Sequence, residues 1–247
     1  MRVAVVTGAS SGIGAATVVA LARDGWSVIC GARRLDRLEQ VVNAGGPNAK
    51  AVHLDVTDEA SVAALAKGLD RVDLLVNNAG GAKGLRPIVE AKEEEWEWMY
   101  NTNVLGTMRM TRALLPLLVA SGQGRVINIC SIASTMPYAG GGGYNAAKFG
   151  QRAVTEALRH ELAGQPVTVS QIDPGLVQTE FSLVRFDGDQ ARADAVYAGV
   201  EPLSAEDVAE AIRWVASRPP HVSIDQLWIL ARDQVGTVKT PLERSTT

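Results

Sequence analysis

The chain has 247 residues, 47% of them hydrophobic, with 24 Lys and Arg against 27 Asp and Glu and a net charge of −3. That is enough apolar material for one sizeable core, and the basic stripe that nucleic-acid binding requires is missing. No run approaches the ~18 to 20 apolar residues that span a bilayer, the start has no signal-peptide core, and Cys30 and Cys130 end apolar runs; one cytoplasmic domain over 1–247 with reduced thiols is expected, with no membrane or nucleic-acid partner.

In chain order, short β-branched runs alternate with longer amphipathic ones. "VAVVT" precedes a helix over about 13–23, "SVIC" one over about 35–43, and "KAVHL" one over about 59–67. "VDLLV" leads into a helical region over about 93–119 and "RVINIC" into a helix over about 144–162. "VTVSQI" runs through an irregular stretch to a last helix over about 205–216, before "QLWIL". Seven strands separated by helices predict a doubly wound α/β Rossmann fold with a seven-stranded parallel sheet, because parallel neighbours need crossover connections. The strands read as continuous apolar runs, which predicts helices on both faces. Pro116, inside "TRALLPLLVA", predicts a kink or break, and the aperiodic segment over about 181–201 reads as a substrate lid.

"TGASSGIG" at 7–14 lies where the first strand gives way to the first helix. Glycines there expose backbone N–H groups and a positive helix end to a pyrophosphate, although an ordinary Gly-rich turn has the same pattern. At the end of the second strand a dinucleotide site usually carries an acid for the ribose 2′-OH. Here "ICGARRLDRLEQ" has Ala32 in that place, followed by Arg33 and Arg34. Two arginines at a helix N-terminus oppose the helix dipole unless an anion lies between them, which favours NADP over NAD, with Arg33 as the principal contact and Arg34 the next candidate.

Tyr144 and Lys148 stand four residues apart, on one face of a helix. An ammonium ~4 Å from a phenol, at an effective dielectric of about 20, favours the phenolate by on the order of 4 kcal/mol, or about three pKa units, enough for acid/base work near neutrality. Ser131, thirteen residues before Tyr144, ends a strand, where open α/β sheets bind ligands; Ser134 is the decoy. The four glycines at 140–143 predict a tight, side-chain-poor approach to Tyr144, without explaining why there are four.

These motifs, with "NNAG" at 77–80, Asn103 in "NTNVLG" and "DPGLVQT" at 173–179, occur in the order and spacing of the short-chain dehydrogenases/reductases, and the resemblance covers essentially the whole chain. It implies that Ser131 polarises a carbonyl, Tyr144 exchanges the proton, Lys148 holds the nicotinamide ribose and Asn103 supports a water leading to Lys148. It places NADP(H) against Gly8, Ser10, Ser11, Gly12, Ile13 and Gly14, then Arg33, Arg34, Asp55 and Val56. Asn78, Ala79 and Gly80 line the adenine-ribose side, while Pro174, Gly175, Val177 and Thr179 belong to the segment at the carboxamide. Asn77 reads equally well as a tie between strands. The resemblance also implies a homotetramer; His53, His160 and His221 have no ligand spacing, so no metal is expected.

The C-terminal third is similar to the branch of NADP-dependent 3-hydroxy acid dehydrogenases that act on serine, allo-threonine and related small substrates, while related enzymes reduce other aldehydes and ketones. Arg185 in the lid is the first candidate for a substrate carboxylate, although Asp187 and Asp189 are near enough in sequence to occupy it. Lys83 is a second cation, and Phe181, Met136 and Tyr138 are candidate apolar walls. A non-enzymatic NADP(H) sensor on the same fold is the rival reading; it would be expected to lose the Ser/Tyr/Lys set, which is intact here.

Overall fold

The apolar runs do become strands, and all seven pair in parallel. In the computed structural model, which describes residues 1–240, β1 (Val3–Thr7), β2 (Ser27–Ala32), β3 (Ala49–His53), β4 (Leu74–Asn77), β5 (Gly124–Ile129), β6 (Val167–Pro174) and β7 (Gln226–Ile229) form one sheet in the order β3-β2-β1-β4-β5-β6-β7. The order reverses between β1 and β4, where a doubly wound sheet opens a crevice at its carboxyl edge. In register, Val5 sits between Ile29 of β2 and Leu75 of β4.

The two-residue period of a strand sends alternate side chains of β1 to opposite layers. Ala4 and Val6 join Val18 and Leu21 of α1 (Gly12–Arg23), Leu38 of α2 (Leu35–Gly45) and Ile212 of a late helix in one core. Val5 joins the other core, with Val62 of α3 (Glu59–Lys67) and with Met110, Leu114 and Leu118 of a helix farther along. The central strands are buried on both faces, while β3 and β7, at the edges, are only partly covered.

The long helical region is divided, but not at Pro116. It consists of α4 (Glu93–Tyr100), a π-helical turn (Asn101–Leu105) and α5 (Gly106–Ala120), and α5 continues through Pro116 to Ala120. The expected break at Pro116 is therefore corrected: the discontinuity lies fifteen residues earlier, in "NTNVL", where one wide turn shifts the helical register. α6 (Gly142–Glu161) follows β5. The lid segment contains two short helices, α7 (Phe181–Arg185) and α8 (Gln190–Ala195), ahead of α9 (Ala205–Ala216). The chain then adds a small hairpin that the sequence reading lacks, β8 (Gln234–Val235) with β9 (Val238–Lys239). Among the described residues no helix is long and apolar enough to cross a membrane.

Candidate active site

The carboxyl ends of the strands open into one cavity of about 650 Å³. Every expected site residue lines it except Gly14, Asn103, Lys83 and Met136. Gly14 acts from behind the loop: a Cβ there would lie 2.4 Å from the Gly8 carbonyl oxygen and 2.5 Å from Asn78 Nδ2, so only glycine lets α1 start this close to the end of β4. The Asn78 amide donates to the Thr7 and Gly8 carbonyls (2.9 and 3.3 Å), and Thr7 Oγ1 accepts from the Asn78 and Ala79 amides (3.0 and 2.9 Å). These bonds splice β1 to β4 at the crevice. Asn77 is the tie between strands, donating to Asn128 on β5 at 2.9 Å and to Thr111 at 3.1 Å.

No side chain caps the N-terminus of α1 and its first turn carries no acid, so its unpaired N–H groups and positive dipole end serve the cavity that Ser11, Gly12 and Ile13 line. The hydroxyls of Ser10 and Ser11 accept from the Arg34 guanidinium (3.1 and 2.9 Å), which also pairs with Glu180 at 3.2 Å. Arg37, on the next turn of α2, pairs with the same carboxylate, so two cations hold the Glu180 carboxyl below its usual range. Arg33 is exposed at the rim and makes no hydrogen bond or ion pair among the described residues. Burial works against the charge on Asp55, but two bonds from Thr57 (2.9 and 2.7 Å) and the Arg33 and His53 charges hold its carboxyl below the ordinary value. Pro174 ends β6 and Gly175 follows it, and Gln234 of the small hairpin braces them by accepting from the Leu176 amide at 2.8 Å.

The four glycines now have reasons. Gly140 takes φ +76°, and Cβ atoms on Gly141 and Gly143 would lie 2.3 Å from the Tyr138 ring and 2.5 Å from Met99 Cε. A Cβ on Gly142 would lie 3.1 Å from the Trp96 ring, so the run turns and then seats the start of α6 flush against α4. That seating buries Tyr144, whose ring meets Phe181 edge-on at 5.4 Å.

Around Tyr144 burial is the largest electrostatic effect. Burial pushes the phenol well above its ordinary pKa; the Tyr138 phenol adds to this, and Ser131 and Arg185 oppose it. Lys148 Nζ lies 5.8 Å from the Tyr144 ring centroid and donates to the Ile129 carbonyl at 3.0 Å and to Gln151 Oε1 at 2.8 Å. Burial lowers the Lys148 ammonium itself to about 8. Asn103 is buried behind the cavity wall. Its amide is consumed by backbone, donating to Gly81 O (2.9 Å) and Met99 O (2.7 Å) and accepting from Gly81 N (3.1 Å), so it shapes the cavity wall from behind. Ser131 caps the short turn after β5, its Oγ accepting from the Ala133 amide at 3.1 Å, and the decoy Ser134 donates to Asp173 at 3.0 Å.

At the substrate end Arg185 is 8% exposed, so it is no solvated lid residue. Its Nε donates to the Gly84 carbonyl and its Nη1 to the Tyr138 hydroxyl, both at 2.8 Å, and its Cζ lies 5.8 Å from the Tyr144 ring centroid. Asp187 pairs with Lys83 instead, at 2.6 Å, and Asp189 caps α8 through the Arg192 amide, so neither acid occupies the guanidinium. Lys83 is drawn outward by that pairing and does not line the cavity; Met136 is 38% exposed, with its sulfur over Gly236. Trp98 and Leu85 are wall residues that the sequence reading missed; the alternation of acids and tryptophans in "EEEWEW" was the available signal for Trp98.

The short chain dehydrogenase family matches residues 2–189. The chain is 59% identical to an uncharacterized oxidoreductase of Mycobacterium tuberculosis, over 94% of this chain and 92% of that one. It is 41% identical to an NADP-dependent 3-hydroxy acid dehydrogenase of Escherichia coli, over 91% and 93% respectively. Among solved structures it resembles the closed form of serine dehydrogenase complexed with NADP+, with 40% identity, coverage of 95% and 96%, and a TM-score of 0.92. The strand order, the crevice at its reversal and similarity on this scale lead to one conclusion: the chain belongs to the short chain dehydrogenase family and is an oxidoreductase acting between CH–OH and C=O groups.

Proposed function

We propose that the protein interconverts a small 3-hydroxy acid and its semialdehyde, using NADP(H). The carrying observation is Arg185, a buried guanidinium free of carboxylate partners among the described residues, on the wall of the same cavity as Tyr144. A planar fork with donors to spare suits a substrate carboxylate, and its 5.8 Å separation from the Tyr144 ring suits an acid group within a few bonds of the reacting carbon. The E. coli relative named for 3-hydroxy acids supports the same class.

The residues present fit the nucleotide. The uncapped end of α1 faces where a pyrophosphate binds, Ala32 leaves out the acid that would repel a 2′-phosphate, and Arg33 is free to take it. Arg34, held by Ser10, Ser11 and Glu180, braces that corner as the second contact. When bound, the nicotinamide supplies or accepts a hydride. The chain then binds and moves the proton: Ser131 donates to the substrate oxygen, Tyr144 exchanges a proton with it, and Arg185, which favours the phenolate, orients the acid and eases that exchange. Lys148 keeps one N–H for the nicotinamide ribose. A homotetramer belongs to the same proposal, and two buried free thiols suit a reducing compartment.

The test is steady-state NADPH oxidation over paired acid and neutral aldehydes in wild type and Arg185→Ala. The ratio of kcat/KM for acid over neutral substrates is expected to fall tenfold to a hundredfold, the equivalent of about 1.5 to 3 kcal/mol for a charge-assisted bond. An unchanged ratio removes the acid from the proposal. Nucleotide binding with no turnover on any carbonyl favours the sensor.

A further inference from the structure

Gln151, one turn beyond Lys148 on α6, is 1% exposed and does not line the cavity. A buried primary amide must have its polar atoms satisfied, and here the partners are specific. Lys148 Nζ donates to Gln151 Oε1 at 2.8 Å, Gln151 Nε2 donates to Thr107 Oγ1 at 3.0 Å, and the Thr107 hydroxyl donates to the Asn103 carbonyl at 2.8 Å. Both ends dictate the same amide orientation. An ammonium has only donors and must meet Oε1; the single Thr107 proton is committed to Asn103, so its oxygen must be met by Nε2. The side-chain chain thus joins Lys148 to the π-helical turn through protein atoms, where the family resemblance implied a water next to Asn103.

We infer that Gln151 is a positioning residue for the reaction: its amide, oriented by Thr107, aims the Lys148 ammonium at the cavity and keeps it protonated. Of the three N–H bonds on Nζ, one goes to the Ile129 carbonyl and one to Gln151, leaving one for the cavity. The ionisable neighbours do not make Gln151 redundant. Tyr144 lies on the same helix face, and Arg152, a turn farther on, is engaged by Glu156 and Thr135. Cys130 at the end of β5 is a thiol that burial pushes up to about 12, so it is neutral near pH 8. Asp173 on β6 favours the ammonium but spends its oxygens on Ser134, Gln171 and Gln226 and on the Ser131 amide. Against them stands burial, which brings Lys148 down to about 8; an acceptor dipole 2.8 Å from Nζ opposes it directly.

The experiment compares the full chain with Gln151→Met, Gln151→Glu and Thr107→Val. Two readouts are used: the Lys148 titration, by NMR of Cε-labelled lysine without nucleotide, and the alkaline limb of kcat/KM with saturating NADPH. Gln151→Met should lower both midpoints by about one pH unit, Gln151→Glu should raise both, and Thr107→Val should lower them by less, because it releases the amide without removing it. Opposite shifts for Met and Glu are the signature that a packing defect does not produce. Midpoints that coincide with wild type, or that move the same way for Met and Glu, overturn the inference. If Gln151→Met does not fold, the signs for Gln151→Glu and Thr107→Val decide. The inference rests on the role of Lys148 proposed above, and Lys148→Met separates the two: full activity in that variant sinks the role itself, whereas an inactive Lys148→Met beside unshifted Gln151 variants sinks this inference alone.

Discussion

At the residue scale, Tyr144 and the arginine pair carry the clearest consequences. Burial opposes the phenolate of Tyr144, and Ser131 and Arg185 act against that burial. Tyr144→Phe removes only the exchangeable proton, so turnover should fall by about 10² to 10⁴ while NADPH affinity, read by fluorescence titration, changes little. Retention of a substantial fraction of activity would assign the proton to another group. For cofactor choice, Ala32→Asp with Arg33→Ser should weaken NADPH by roughly tenfold to a hundredfold and leave NADH nearly unchanged, since a charge-assisted contact is lost and a repelling carboxylate added. Equal loss for both nucleotides would move the 2′-phosphate to Arg34.

At the scale of elements, the site depends on how closely helices start against the sheet. Gly14→Ala would drive a Cβ into the Gly8 carbonyl and the Asn78 amide, both tied to β1 and β4, so neither can yield without unsplicing the crevice. Overpacking of this kind costs about 1 to 3 kcal/mol. The melting temperature and NADPH affinity should fall together; a fall in melting temperature alone would show that the loop recovers its binding geometry. The glycines of this loop were legible from spacing, and so was the Tyr144 to Lys148 turn. The π-helical turn was not, because "NTNVL" sits inside a pattern with helical periodicity, and a one-residue register shift leaves no apolar signature. Pro116 misled for the complementary reason: its helix is held by Leu114 and Leu118 in the core, and tertiary packing there overrides local propensity.

For the whole molecule, alkaline stability follows from what the core buries. Burial raises Cys30 to about 11 and Cys130 to about 12 from 9.0, so above pH 9.0 the unfolded chain loses protons that the native state keeps, and stability falls as pH rises through those values. Lys148 acts in the opposite sense. With a native value of about 8 against 10.5 unfolded, its burial penalty is progressively relieved between the two. Melting curves taken from about pH 8 to about 11.5 should therefore be flat or rise slightly at first and then drop, and Cys30→Val should make the drop shallower. An unchanged descent in that variant would mean that Cys30 titrates as it does in the unfolded chain.

The sequence alone determined the seven strands, the helices between them, the nucleotide loop and the serine, tyrosine and lysine, because each is written in local periodicity or short spacing. Tertiary structure alone decided which charge faces which. Asp187 pairs with Lys83, 104 residues away, and so leaves Arg185 without a carboxylate partner among the described residues; Glu180 reaches Arg34, 146 residues away; Gln151 meets Thr107, 44 residues away. A period of two or of 3.6 residues tells which face of an element is apolar. It carries no information on which polar side chains will share a buried volume once the faces have closed, and at this site those pairings turn Asp187 away from Arg185, brace Arg34 and seat Gln151 between Lys148 and Thr107.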